Sequence, residues 1–432
     1  MEALKVESLD QEGRGVARRD GKAVFVEGAL PGEVVTYSPY RKKPTYEVAT
    51  LGRVLKESPS RVRPRCPHFG VCGGCSLQHL DARAQVAVKQ RVLEDSLWHI
   101  GKVRPDTILP AIHGAEWGYR HRARLSARFV AKKGGALVGF HEKRSSYVAD
   151  MTSCEVLPRP VSDLLVPLRE TLGRLTIRER VPQVEVAVGE EAIVLVLRVL
   201  QAPAQEDLRL LEAFAARHSV VLYLQPRGPD SAQPMRSGTQ AEPFYTLPEF
   251  DLAMRFSPTE FTQVNHAVNR VLVRRALALL APQPGEHVAD LFCGIGNFTL
   301  AIARRGALAS GFEGHAALVA RAEANARDNG LAHAACFSVR NLFELADGDA
   351  EAFREFDRVL IDPPRDGAIA VVKTLTEDRP RRVVYVSCNP ATLARDAAVL
   401  VHAQGYRLSG ACVVNMFPHT SHVESIAVFD KD

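Results

Sequence analysis

The stretch Glu286-His-Val-Ala-Asp-Leu-Phe292-Cys293-Gly-Ile-Gly-Asn297 decides the fold. Its first seven residues read as a strand, Cys293 to Asn297 as a tight glycine loop, and Phe298 to Arg305 as the opening of a helix. Together they make the first βα turn of a doubly wound sheet, whose ligands bind at the carboxyl ends of the strands. A dinucleotide loop requires Gly-x-Gly-x-x-Gly; Thr299 stands at the third position here, which argues against a nicotinamide cofactor. Glu313, ending the next strand roughly 20 residues on, can accept hydrogen bonds from both hydroxyls of a ribose. Loop and acid together fit S-adenosylmethionine better than NAD.

Downstream, Phe356-Asp-Arg-Val-Leu-Ile-Asp362-Pro-Pro-Arg-Asp-Gly367 is a second strand that delivers an acid at its carboxyl end. An aromatic after Asp-Pro-Pro would suit amino methylation, and a cysteine there would suit cytosine C5 chemistry. This chain has Arg365, so a nucleophile must come from elsewhere. The next strand supplies one. In Arg381-Arg-Val-Val-Tyr-Val-Ser-Cys-Asn-Pro390 a β-branched run leads to Cys388, and Asn389-Pro390 is a helix start with Asn at the N-cap. The helix carries Leu393, Ala397, Leu400 and Val401 at helical spacing and stops at Gly405. A thiol facing a helix N-terminus is expected to have a pKa below the free value of about 8.5. The competing reading of Cys388 is a small buried hydrophobe.

The 432 residues are 46% apolar, enough for two or three domains. No apolar run approaches the roughly 20 residues that span a membrane, and the start Met-Glu-Ala-Leu-Lys-Val-Glu has no signal-peptide layout. The expectation is a soluble cytoplasmic protein without an obligate protein partner, whose eight cysteines bind metal or catalyse rather than form disulfides. The net charge of +5 is unevenly placed: residues 36 to 144 hold 21 Lys and Arg against 8 Asp and Glu, leaving the rest of the chain negative. The runs Arg41-Lys-Lys43, Arg61-Val-Arg-Pro-Arg65, Arg120-His-Arg-Ala-Arg124 and Lys132-Lys133 suit phosphate contacts. Tyr40, Tyr46, Trp117, Tyr119 and Phe129 lie among them.

Residues 1 to 58 alternate in short segments, Leu4 to Leu9, Ala23 to Val26, Glu33 to Tyr37 and Tyr46 to Val54, the pattern of a small OB-like barrel. The turns Gly13-Arg-Gly15-Val-Ala17 and Gly28-Ala-Leu-Pro-Gly32 make it resemble a TRAM domain, an RNA-binding barrel. Cys66-Pro-His-Phe-Gly-Val-Cys72-Gly-Gly-Cys75, with Cys154 far downstream, can supply a four-thiolate site. The spacing leaves zinc, with His68 and His79 close by, and a [4Fe-4S] cluster both open. Residues 59 to 255 otherwise mix strands and helices, among them a hairpin from Pro182 to Val199 and an amphipathic helix from Gln205 to His218 with Leu208, Leu211 and Phe214.

Taken together, these motifs resemble the RNA uracil-C5 methyltransferases, and among them the 23S rRNA enzymes that carry a TRAM domain and an iron-sulfur cluster. The resemblance rests on the four cysteines, Phe256-Ser-Pro-Thr-Glu-Phe-Thr-Gln-Val-Asn265, Asp290-Leu-Phe-Cys-Gly-Ile-Gly-Asn-Phe298, Asp362-Pro-Pro-Arg365, Ser387-Cys-Asn-Pro390 and His422-Val-Glu-Ser425. It implies a [4Fe-4S] cluster on Cys66, Cys72, Cys75 and Cys154. It puts Gln263, Phe292, Asn297, Glu313, Asn341 and Asp362 at positions that contact cofactor or base, Cys388 at the nucleophile and Glu424 at the general base. The implied architecture is an OB-like barrel over residues 1–58, a central mixed α/β domain with the cysteine cluster over 59–255, and a Rossmann-like class I methyltransferase domain over 256–432.

The chemistry accounts for these residue types. Uracil C5 is a poor nucleophile until a thiolate adds to C6, and a base must then take the C5 proton so that elimination frees the thiol. Glu424 lies in the apolar run His422-Val-Glu-Ser-Ile-Ala-Val428, which would desolvate it. A surface position on an edge strand is the alternative, and His419 and His422 are competing bases. The expected function is methyl transfer from S-adenosylmethionine to uracil C5 in 23S rRNA. The alternatives are the same reaction on a transfer RNA, or a catalytically inactive RNA-binding iron-sulfur protein.

If residues 36 to 144 hold phosphates, RNA affinity falls steeply with salt. Neutralising Arg41, Lys42 and Lys43 then flattens the log–log slope by up to about three units. A slope identical to the parent's, measured by filter binding, would reduce this run to a solvated face.

Overall fold

The computed structural model describes residues 3–236, 238, 241–345, 353, 355–375 and 380–431. A closed barrel is formed by Ala3–Leu9, Gly15–Arg19, Lys22–Glu27, Val34–Lys42 and Tyr46–Lys56 around Val6, Ala17, Val24, Val26 and Ala49. The strand Gly15–Arg19 was not legible in the sequence, because its last two residues are exposed arginines that hide the alternation. Gly15 has to be glycine: a Cβ there would lie 2.8 Å from Val6 and 2.9 Å from the Ala29 carbonyl oxygen.

A six-stranded sheet follows, in the order Gln233–Pro234, Val221–Gln225, Ile193–Arg198, Gln183–Val188, Arg122–Val130, Gly135–Gly139. The expected hairpin is present as the antiparallel pair Gln183–Val188 and Ile193–Arg198. The helix Gln205–His218 matches the reading, burying Leu211 and Phe214. A small antiparallel pair, Phe244–Leu247 with Leu252–Arg255, leads into the last part.

That part is an eight-stranded sheet in the order Ala335–Val339, Leu308–Glu313, His287–Leu291, Arg358–Ile361, Arg382–Ser387, Glu424–Asp430, Arg407–Val414, Thr107–Ile108. The first five strands are parallel. This sheet starts at His287–Leu291 and winds first to one side and then to the other, so the switch point, and with it the ligand crevice, lies between His287–Leu291 and Arg358–Ile361. Glu424–Asp430 is antiparallel to both of its neighbours, so its amino end lies where the parallel strands have their carboxyl ends. It is an interior strand, which overturns the edge reading of Glu424.

The sheet also recruits chain from far upstream. Thr107–Ile108 adds its outermost strand, and the helix Ala82–His99 packs on the helix Pro390–His402. Leu93, Leu97 and Val103 share one core with Leu393, Ala397 and Leu400. A Cβ on Gly101 would lie 2.4 Å from the Ala394 carbonyl oxygen, so only glycine allows this approach.

Candidate active site

The site is built from strand ends. After Leu291 the chain turns abruptly: Phe292 has φ +64°, a left-handed conformation that costs a non-glycine residue about 1–3 kcal/mol. The Phe292 and Cys293 amides both donate to the Phe312 carbonyl, at 2.9 and 3.1 Å, and this holds the turn. The Phe292 ring lies beside Phe343, with centroids 5.4 Å apart. Glu313 braces the glycine loop, accepting the Gly294 N–H on Oε2 and the His315 N–H on Oε1, each at 3.1 Å. Thr299, the residue that broke the dinucleotide pattern, donates its hydroxyl to buried Asp290 at 2.5 Å.

Asn297 forms a reciprocal amide pair with Asn269, 3.0 Å in both directions, and accepts the Tyr245 hydroxyl at 2.8 Å. The motif Phe256 to Asn265 ends by capping the helix His266–Leu280, with Asn265 Oδ1 accepting the Val268 N–H at 3.1 Å. Asn341 accepts the Phe343 N–H at 3.1 Å, which fixes the local turn. On the other side, Asn389 caps the helix Pro390–His402 through the Ala391 N–H. Asn389 and Thr392 also each donate to the Arg365 carbonyl at 3.2 Å, tying the Asp-Pro-Pro-Arg loop to the strand that carries Cys388.

One cavity of about 700 Å³ gathers Gln263, Phe292, Asn297, Glu313, Asn341, Asp362, Cys388 and Glu424. All eight residues singled out in the sequence for catalysis and cofactor binding therefore line the same space. Others were missed. Arg120, read in the sequence only as part of a basic run, enters from just before the strand Arg122–Val130, and Tyr245 enters from the small hairpin without a local signal. Phe261, 66% exposed, lies inside a motif that was quoted for other residues.

Ser387 pairs with Ser425 across the sheet, so the next residues, Cys388 and Glu424, leave the register together at the cavity. Glu424 is buried, and its Oε1 lies 3.4 Å from His422 Nε2. The expected lowering of the Cys388 pKa is not found. Burial first, then the carboxylates of Glu424 and Asp362, push the thiol up to about 11, against a smaller opposing pull from Arg365. The helix amides do not rescue it, because Ala391 N–H is taken by Asn389 and Asn389 N–H by the Ser387 hydroxyl. Asp362 is likewise held well above the usual carboxylate range, by burial and by Glu424 and Asp290. Of the competing bases, His422 lines the cavity and His419 does not.

The four clustered cysteines also converge. Cys66, Cys72, Cys75 and Cys154 line one gap with Phe69, Phe140 and Met151, and the Gly74 N–H donates to Cys72 Sγ at 3.3 Å. Burial pushes the Cys75 thiol up to about 12, and the three other thiols add to this. Among the described residues no three His, Cys, Asp or Glu side chains stand at single-ion spacing. His68 faces the gap but engages Thr152 at 3.2 Å, and His79 lies outside the lining, against Phe69.

Phosphate-binding capacity is narrower than the sequence suggested. Arg61 is committed to a bidentate pair with buried Glu33, and Arg122 is half-buried, 3.8 Å from Glu185. Arg41, Lys42 and Lys43 are exposed. Arg14, Arg120, Lys143 and Arg144 line an open groove between the barrel and the six-stranded sheet, where Arg14 is paired with Asp10 and Arg144 with Glu27.

Comparison with known proteins gives consistent results. A family model described as tRNA (Uracil-5-)-methyltransferase matches residues 246–432, and the TRAM domain model matches residues 3–36. The chain is 61% identical over 428 residues to the 23S rRNA (uracil(1939)-C(5))-methyltransferase RlmD of Nitrosospira multiformis, covering 99% of this chain and 98% of that one. It is 60% identical over 433 residues to the RlmD of Aromatoleum aromaticum, with both chains fully covered. Among solved structures, the Pyrococcus abyssi tRNA (uracil-54, C5)-methyltransferase in complex with S-adenosyl-L-homocysteine matches with a TM-score of 0.76. The two are 24% identical, and the match covers 99% of this chain and 100% of that one. At that identity the likeness speaks for the fold.

The thiol's environment predicts its reactivity. Glu424→Gln removes a negative neighbour that holds the Cys388 pKa up, so more thiolate is present at a given pH. Iodoacetamide should label Cys388 severalfold faster in this variant at a fixed, mildly alkaline pH, with Cys388→Ala as the blank. Equal or slower labelling would mean that Glu424 does not act on the thiol.

Proposed function

The chain belongs to the family of RlmD-type RNA uracil-C5 methyltransferases, and on that premise we propose that it transfers a methyl group from S-adenosylmethionine to C5 of a uridine in 23S rRNA, through a covalent bond between Cys388 and uracil C6. The observation that carries this reading is the meeting of Cys388 and Glu424 at one cavity, from adjacent strands that run in opposite directions. A thiol alone could cap a strand; a thiol with a buried carboxylate beside it fits an addition followed by a proton removal.

S-adenosylmethionine would supply an electrophilic methyl group on a sulfonium. Glu313 would accept from its ribose hydroxyls, while Phe292, Asn341 and the glycine loop would flank the adenosyl group. Gln263 and Asp362 line the same cavity as Cys388, and we assign them to the polar edge of the uracil ring. Asp362, whose carboxyl is held well above the usual carboxylate range by burial, lines the same cavity and can hydrogen-bond the polar edge of a uracil. Cys388 gives its proton to solvent and its sulfur bonds to C6, which pushes electrons toward C5; C5 would then take the methyl group as the S–CH3 bond of the sulfonium breaks and S-adenosylhomocysteine is released. Glu424 takes the C5 proton, the C6–S bond breaks and the thiolate is released. His422, 3.4 Å from Glu424, is placed to relay that proton outward.

We assign residues 1–58 to RNA capture, 59–255 to the cysteine site and the RNA-facing groove, and 256–432 to the chemistry. Four thiols around one apolar gap, with an amide donating to sulfur, fit a [4Fe-4S] cluster on Cys66, Cys72, Cys75 and Cys154. Of the two histidines that zinc would recruit, His68 lines the gap but accepts the Thr152 N–H on Nε2, and His79 lies outside it against Phe69. Among the described residues no helix is long and apolar enough to cross a membrane, and an rRNA substrate agrees with a cytoplasmic location. Transfer RNA is the second reading, favoured by the description of the family model. Mass mapping of rRNA and tRNA from a deletion strain distinguishes them: loss of one rRNA 5-methyluridine supports the first reading and loss from tRNA the second.

The two catalytic substitutions should stall at different stages. Glu424→Gln should add its thiol and transfer the methyl but fail to eliminate, leaving protein attached to methylated RNA on a denaturing gel. Cys388→Ala should form no such band, alone or combined with Glu424→Gln. A labelled band that survives in the double variant would move the nucleophile to another cysteine, with Cys293 first; full turnover by Glu424→Gln would move the base to His422.

For the cysteine site, Cys72→Ser purified without oxygen should lose iron-thiolate absorption, folding yield and RNA affinity together. Normal yield with full iron content would refute the ligand assignment.

A further inference from the structure

The segment from Asn415 to Val423 joins the strand Arg407–Val414 to Glu424–Asp430 and carries His422 and Glu424 to the cavity. Much of what holds it comes from the first third of the chain. The Ser76 and Leu77 amides both donate to the His419 carbonyl at 2.9 Å, and the Ser421 N–H donates to the Ser76 hydroxyl at 2.8 Å. Gln85 grips His419 at two points, accepting its N–H at 2.7 Å and placing Nε2 3.2 Å from Nδ1. Trp117 stacks on the His419 ring with centroids 3.8 Å apart. Lys89 donates to Asn415 Oδ1 and the Phe417 carbonyl, both at 2.8 Å, and the Tyr119 hydroxyl donates to the Pro418 carbonyl at 2.9 Å.

His419 itself has φ +66°, a left-handed conformation that a non-glycine residue keeps only where its surroundings over-determine it. It is not among the residues that line the cavity, and burial lowers its pKa to about 4, with Lys89 adding to the effect. It is a neutral side chain whose role is geometric. The partners named above all precede residue 246, where the methyltransferase model begins, and Ser76 and Leu77 directly follow Cys75. Cys388 is held by a different set of contacts, through Asn389, Thr392 and the Arg365 loop.

We propose that His419 is a positioning residue: it latches the segment delivering His422 and Glu424 to the two residues after Cys75, so that the cysteine-bearing segment governs proton removal from C5 while leaving thiol addition alone. The proposal rests on the reading of Glu424 as the base. It gives the cysteine site a consequence for one stage of the reaction beyond folding and RNA affinity.

Two variants test it, with hydrogen exchange and single-turnover kinetics on transcribed 23S rRNA and S-adenosylmethionine. Ser76→Ala removes the acceptor of the Ser421 N–H, and His419→Asn keeps a residue that tolerates the left-handed backbone but removes the stacked ring. Exchange over residues 415–423 should accelerate in both. Adduct formation should stay within about twofold of the parent while release slows about tenfold, the effect of one lost hydrogen bond. Formation and release slowed alike would reduce the contacts to general structural support and overturn the proposal, as would unchanged exchange over 415–423. A parent enzyme that forms no adduct would defeat the covalent reading of the reaction, and the exchange result would still judge the latch.

Discussion

A parallel sheet presents all its carboxyl ends on one side, which suits ligand binding but restricts how a catalytic pair can be assembled. Asp290, Glu313, Asp362 and Cys388 all arrive at or near the carboxyl ends of parallel strands. A base adjacent to the nucleophile has to come from the neighbouring strand, and a further parallel strand would need another crossover helix to bring it there. Here the neighbour runs the opposite way, so its first residue, Glu424, reaches the site without a crossover. The consequence is a connecting segment, Asn415 to Val423, that passes over the site outside the sheet's hydrogen-bond ladder. Its dependence on upstream contacts follows from that geometry.

The same crowding sets the electrostatics. Asp290 is pushed up to about 7, Asp362 well above its ordinary range and Cys388 up to about 11, burial being the first cause of each. In each case a neighbouring carboxylate adds to the effect of burial. Such a cavity resists accumulating negative charge and accepts a cation readily. A sulfonium beside these groups would offset part of that negative charge and favour the thiolate. The raised thiol pKa is thus compatible with a nucleophile that is inactive until the site fills.

Local features were legible and long-range ones were not. The glycine loop, the Asn389-Pro390 cap and the helix Gln205–His218 are determined by residues within a few positions of one another, and each is found where the sequence put it. The site residues were legible because strand ends in a doubly wound sheet share one edge. The sign of the Cys388 shift was not, since it depends on Glu424, 36 positions away in sequence and adjacent in space. Arg61 likewise reads as a phosphate ligand until the fold brings Glu33 to it. Arg120 and Tyr245 reach the cavity from outside the doubly wound unit, where no strand-end rule applies.

The catalytic unit also has a physical boundary different from the one composition suggests. Leu93, Leu97 and Val103 fill the core on one face of the eight-stranded sheet, and Thr107–Ile108 closes its edge. An exposed edge strand is a liability that the chain covers with its own upstream segment. Removing residues before 246 would therefore strip a helix from the core, unpair the Arg407–Val414 edge and free the segment that carries His422. Recognition of RNA and catalysis are consequently joined by packing as well as by sequence, since the helix Ala82–His99 that buries Leu93 and Leu97 also carries Gln85 and Lys89 to the catalytic segment.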